Sequence, residues 1–163
     1  MEVISGWGST HDLDGIYSYE HFYEKPSSGY SAILRTGCVE VVQCFGASHK
    51  FIPNPALEGG LMQAFGKAVK WLPMTEMGPP VSVMVSLLDV GGRALHFGPS
   101  HPILGIRRIS KSDLIMHDVF IEKLEMTPAE VLRPICDAIW QASGLERSFN
   151  FDEAGKWRPQ PWD

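Results

Sequence analysis

His96 and His101, placed either side of the Gly98-Pro99 turn, stand with His117 and Asp118 as the densest group of side chains that could do chemistry in this 163-residue chain. Imidazole nitrogens with one carboxylate form a ligand set that zinc accepts, so this region could serve a small-molecule or metal-dependent enzyme. Its spacing matches no ligand signature. The plainer reading is a strand-terminal His96, a solvated His101 in a loop and a half-buried His117 on a strand, and no metal or cofactor is expected. A thiol nucleophile would need a basic neighbour beside Cys38 or Cys44, and nothing in the residue order supplies one. Cys38, Cys44 and Cys136 each lie in an apolar run, which fits buried thiols in a reducing compartment. Asp12-Leu13-Asp14-Gly15 opens like a calcium loop but lacks the third acidic position and the closing glutamate, so helix capping is expected of it. Gly59-Gly60 and Gly91-Gly92 lack the Lys-Ser/Thr of a phosphate loop. No catalytic residue is assigned.

Contact chemistry is better represented. Trp7, Tyr17, Tyr19, Phe22 and Tyr23 near one end, and Phe149, Phe151, Trp157 and Trp162 near the other, are large amphipathic side chains of the kind enriched at interfaces. Trp7, Tyr19, Tyr23, Phe151, Trp157 and Trp162 are the interaction candidates, with core packing of terminal segments as the alternative for any single ring. They imply a protein partner or self-association. Arg107, Arg108 and Lys111 make the one basic cluster, but 14 basic against 19 acidic residues leave a net charge of -5. A nucleic acid backbone or an anionic membrane surface would be repelled, so neither is an expected partner of this chain alone. No apolar run approaches about 18 residues and the start has no basic-then-apolar leader, which reads as cytoplasmic.

These side chains need elements to position them. Residues 1–15 read as an irregular lead-in, followed by a short helix over Ile16 to Glu24 that Pro26 stops, with an extended segment as the equal alternative for this aromatic-rich run. Tyr30 to Arg35 and Cys38 to Phe45 read as a hairpin across Thr36-Gly37, and Val81 to Val90 with Arg93 to Phe97 as a second across Gly91-Gly92. Between them Asn54 caps a helix over Pro55 to Leu72, with Leu57, Leu61, Ala64, Phe65, Ala68 and Leu72 on one stripe facing a sheet. Leu114 to Leu124 alternates as a fifth strand. Thr127-Pro-Ala-Glu130 announces a final helix that buries Val131 or Leu132, Ile135, Ile139 and Ala142, kinks at Pro134 and ends at Gly144. Residues 145–163 form an aromatic tail over the surface. The expectation is one α+β domain over 1–163, a single antiparallel sheet of about five strands with helices packed on it, in the order α-β-β-α-β-β-β-α. Longin and roadblock-type domains share that element order, and such folds commonly act as dimerising or partner-binding platforms.

Ser28-Gly-Tyr-Ser-Ala-Ile-Leu-Arg-Thr-Gly-Cys-Val-Glu-Val-Val42, Leu132-Arg-Pro-Ile-Cys-Asp-Ala-Ile-Trp-Gln-Ala-Ser-Gly-Leu145 and Asn150-Phe-Asp-Glu-Ala-Gly-Lys-Trp157 carry a resemblance. The chain from about Ile16 onward resembles a bacterial region found downstream of schlafen-type, AlbA-like DNA-binding domains. That resemblance transfers no catalytic residue and places the DNA-binding part upstream. It implies a non-enzymatic accessory, sensor or interaction module.

Overall fold

The computed structural model describes residues 8–19, 28–45, 50–96 and 107–159, without the side chain of Met74. Chain contacts divide it into two compact units, one formed by Met1–Ala47 with Ala64–Gly78 and the other by Ser48–Gln63 with Pro79–Asp163. The class is α+β: the described residues form two α-helices, a four-stranded antiparallel sheet and smaller strand pairings.

Unit 1 holds the larger sheet. Gly37, at φ 84°, supplies the left-handed residue of the expected turn, and its amide donates to the Leu34 carbonyl at 3.0 Å. The hairpin it closes has Gly29–Leu34 (β3) against Val39–Gln43 (β4). Gly8–His11 (β1) and Gly15–Tyr19 (β2) extend the sheet in the order β1-β2-β3-β4, every neighbour antiparallel. Of the two readings of Ile16 to Glu24, the structure takes the extended one as far as Tyr19, and the remainder lies outside the described residues. Ile16, Tyr17 and Tyr19 are β-branched or aromatic, and pairing on both flanks of β2 overrides the helical spacing. The part of the lead-in that is described is also a strand. Asp12 caps a turn between β1 and β2 instead of a helix: its Oδ1 accepts from the amides of Asp14 at 2.8 Å and Gly15 at 3.0 Å.

Unit 2 is built on a pairing that the residue order conceals. The Gly91-Gly92 turn forms, with the Arg93 amide donating to the Val90 carbonyl at 3.1 Å, but the segments either side of it do not pair with each other. Val81–Val83 (β6) pairs with Val119–Ile121 (β10), and Ser86–Leu87 (β7) with Leu114–Ile115 (β9), both antiparallel. The Met116 amide reaches the Val85 carbonyl at 3.1 Å and that of Val90 reaches Ser112 at 2.7 Å, so residues 81–90 and 112–121 run as one interrupted ribbon. Ala94–His96 (β8) instead runs parallel to Phe51–Pro53 (β5). The described strands thus occupy one four-stranded sheet and three two-stranded pairings, not a single sheet of five.

The helices fall where their signals lie. Asn54–Trp71 (α1) continues into a 3-10 turn over Leu72–Thr75, and Pro128–Ala142 (α2) begins at a complete capping box. Thr127 Oγ1 accepts from the Glu130 amide at 3.3 Å, while the Glu130 carboxylate accepts from the Thr127 amide at 2.7 Å. α2 runs through Pro134, and Gly144 terminates it at φ 79°. Its face of Val131, Leu132, Ile135, Cys136, Ile139 and Trp140 is fully buried and joins Ile52, Leu57, Leu95, Ile109, Leu114 and Ile121 in the core of unit 2. Each such aliphatic side chain contributes about 1.5–3 kcal/mol by leaving water.

α1 departs from its expected pattern. Leu57 is buried, but Leu61, Ala64, Phe65, Ala68 and Leu72 are only half-buried, and the two other fully buried residues of α1 are Asn54 and Glu58. Asn54 is not a cap: it lies inside the helix, and neither side-chain atom has a hydrogen-bond partner.

Candidate binding site

Glu58 is the most enclosed charged side chain described, at 0 % exposure. Its Oε1 accepts from Trp140 Nε1 at 2.7 Å and Ser148 Oγ at 2.8 Å, and its Oε2 from Asn150 Nδ2 at 2.8 Å and Trp157 Nε1 at 2.9 Å. A carboxylate offers about four acceptor positions, and four neutral donors take them. This constellation ties α2 and the segment after it to α1. Residue order held one trace of it, the Gly59-Gly60 pair next to Glu58. A Cβ on Gly59 would meet Trp157 Cη2 at 3.4 Å, so the indole lies directly against the helix there.

The tail aromatics follow from this arrangement. Trp157 is half-buried, pairs with Phe151 in a single antiparallel bridge and is held by Glu58. The Phe151 ring lies 5.7 Å from the Arg133 guanidinium carbon. Both belong to the packing of unit 2. Trp7, Tyr23 and Trp162 lie outside the described residues.

His96 is exposed on β8, its ring edge-on to Phe51 at 5.9 Å between centroids. His117 is exposed between β9 and β10, not half-buried on a strand, because the ribbon is interrupted there. Asp118 accepts from the Ser82 hydroxyl at 3.3 Å, and His101 lies outside the described residues. Among the described residues no group of three or more His, Cys, Asp or Glu side chains could hold a metal ion. Cys38 and Cys44 are exposed, contrary to expectation, since one follows the β3–β4 turn and the other follows β4; Cys136 is buried. Burial pushes the Cys136 thiol well up, with the nearby Glu58 charge adding to it.

Of the basic cluster, Arg107 donates to the Gly144 carbonyl at 2.8 Å, placing a cation at the C-terminal end of α2, and Arg108 donates to the Gly92 carbonyl. Both guanidinium groups hold backbone together. No described helix is long and apolar enough to cross a membrane.

What remains is one face of the unit 1 sheet. Side chains alternate along a strand, so Tyr17 and Tyr19 share a face of β2. Register carries that face across the sheet: Tyr17 lies opposite Thr10 and Ala32, Tyr19 opposite Tyr30, and Tyr30 opposite Val42. Thr10, Asp12, Tyr17, Tyr19, Gly29, Tyr30, Val42 and Cys44 line a shallow hollow of about 440 Å³. The β3 backbone lies tight against β4 at Gly29, where a Cβ would run into the Val42 carbonyl. Tyr17 and Tyr30 are 6.3 Å apart between ring centroids and tilted by 47°. Tyr30 donates its hydroxyl proton to Glu40 Oε2 at 2.7 Å, and this bond pushes the phenol up to about 12. Partial burial, then Asp12, Asp14 and Glu40, push the Tyr17 phenol up as well. Tyr17 and Tyr19 stand out as interface-type aromatics in the residue order; that Tyr30 stands with them follows only from the β2–β3 register.

No protein-family model matches the chain, and no curated protein or solved structure is significantly similar to it.

Proposed function

We propose that this chain is a non-enzymatic interaction module that engages a protein partner, or a second copy of itself, through the tyrosine-lined face of its four-stranded sheet. The observation that carries the reading is the convergence of Tyr17, Tyr19 and Tyr30 on one shallow hollow. Tyrosine suits such a surface: it offers large contact area with little rotamer entropy to lose, and a hydroxyl that tolerates water before binding. The role agrees with the one implied by the resemblance to a schlafen-associated region, an accessory module of a bacterial cytoplasmic protein.

The test compares faces of one sheet. Solution mass across a concentration series, and affinity capture from the source lysate, are measured for the wild type, for Tyr19→Asp, and for Ser9→Asp, whose side chain lies on the opposite face of β1. Association lost in Tyr19→Asp and kept in Ser9→Asp is the expected result. A monomer at every concentration with nothing captured, or association indifferent to Tyr19, would sink the reading.

A further inference from the structure

The hollow is not chemically neutral. Its described lining contains three phenol rings and Asp12 but no basic side chain. Glu40 stands beside it, opposite Ala32 in register and hydrogen-bonded to the lining residue Tyr30. Asp14 belongs to the same turn as Asp12, and all three carboxylates bear electrostatically on the Tyr17 ring. Aromatic faces present negative charge density and attract cations, and carboxylates at the rim add to that attraction.

Acceptor accounting separates one cation from another. Glu40 spends Oε2 on Tyr30, and Asp12 spends Oδ1 on the amides of its own turn. Oε1 of Glu40 and Oδ2 of Asp12 are left with acceptor capacity. A quaternary ammonium has no N–H to offer them. A lysine ammonium offers donors but no plane to stack on tyrosine. A guanidinium does both, since its flat face stacks on an aromatic ring while its edge donates to carboxylates. Hydrogen bonding to Glu40 also fixes the Tyr30 ring before any ligand arrives, so little order is lost on binding.

Resting on the binding-module reading above, we infer that the hollow takes an arginine side chain of a partner protein, stacked among Tyr17, Tyr19 and Tyr30 with Asp12 and Glu40 receiving its guanidinium N–H groups. Residue chemistry thereby narrows the partner to a protein segment that exposes arginine.

The probe is the capped tripeptide acetyl-Gly-Arg-Gly-amide, titrated against the whole chain while the tyrosine ring resonances are followed by NMR. Its citrulline counterpart, of the same shape but uncharged, and tetramethylammonium chloride are the comparison ligands. Saturable shifts confined to Tyr17, Tyr19 and Tyr30 are expected with the arginine peptide, with affinity about tenfold or more weaker for citrulline, as expected for losing one charge-assisted hydrogen bond. The exposed substitution Glu40→Gln should weaken the arginine peptide similarly while the sheet stays folded. Equal binding of citrulline, tetramethylammonium binding as tightly as arginine, or indifference to Glu40→Gln would each overturn the inference. Absence of peptide binding alongside Tyr19-dependent capture of a partner would overturn it too, while leaving the binding-module reading intact.

Discussion

The Trp157 indole donates to the Glu58 carboxylate at 2.9 Å across 99 positions of sequence. Three further donors complete the shell, so one buried acceptor group joins α1 to α2 and to the segment after it. Glu58→Gln keeps the shape but turns one acceptor oxygen into a donor that faces existing donors. A loss of about 2–4 kcal/mol is expected, because buried donors are left unpaired. The denaturation midpoint measures it, and an unchanged midpoint would mean the shell is dispensable.

Glycine beside that carboxylate tells a different story. A Cβ at Gly59 would meet Trp157 at 3.4 Å, an ordinary contact distance, and the helix interior disfavours glycine relative to alanine. Gly59→Ala should raise stability by up to about 1 kcal/mol. Thermal unfolding reads this directly, and a fall in Tm would show that the indole has no room to give.

Tyr30 ties stability to alkaline pH. Its phenol is pushed from the ordinary 10.0 to about 12, first by the hydrogen bond it donates to Glu40. A group whose folded value is raised contributes fully below its unfolded value, so this contribution is intact below pH 10 and disappears between pH 10 and about 12. NMR titration of the Tyr30 ring should give a midpoint near 12 in the wild type. In Glu40→Gln it should move toward the ordinary value.

Acid pH acts at α2. Hydrogen bonds from the Thr127 hydroxyl and amide hold the Glu130 carboxyl below its ordinary 4.5. A lowered folded value means stability present above about pH 4.5 and lost as pH falls further. Thr127→Ala should cost about 1 kcal/mol at neutral pH through loss of the cap. It should also flatten the acid limb of the stability profile, which a series of melts between pH 3 and 6 would record.

Thiol labelling separates the cysteines by exposure. Cys38 and Cys44 are exposed and should react with a disulfide reagent in the folded protein, whereas Cys136 is buried, its thiol pushed up, and should react only on unfolding. Because Cys44 lines the hollow, a bulky label there should also block any ligand that the tyrosines hold. Rapid modification of Cys136 in native buffer would contradict the packing of α2.

Local chemistry made part of this protein legible from its residues alone. Thr127 and Glu130 form their capping box, Gly144 and Gly37 take left-handed conformations, and the β3–β4 hairpin closes across Thr36-Gly37, because each depends on neighbours within a few positions. The α+β class follows from the same local signals. Partners at long range were decided by tertiary structure. Residues 81–90 run beside 112–121 instead of folding back across Gly91-Gly92, since a turn signal bends the chain without choosing which strand satisfies its backbone groups. Glu58 is buried because four donors from distant positions converge on it, a balance that no local spacing records. Tyr17, Tyr19 and Tyr30 share a hollow for the same reason: strand register, fixed by pairing on both flanks of β2, determines which side chains stand together.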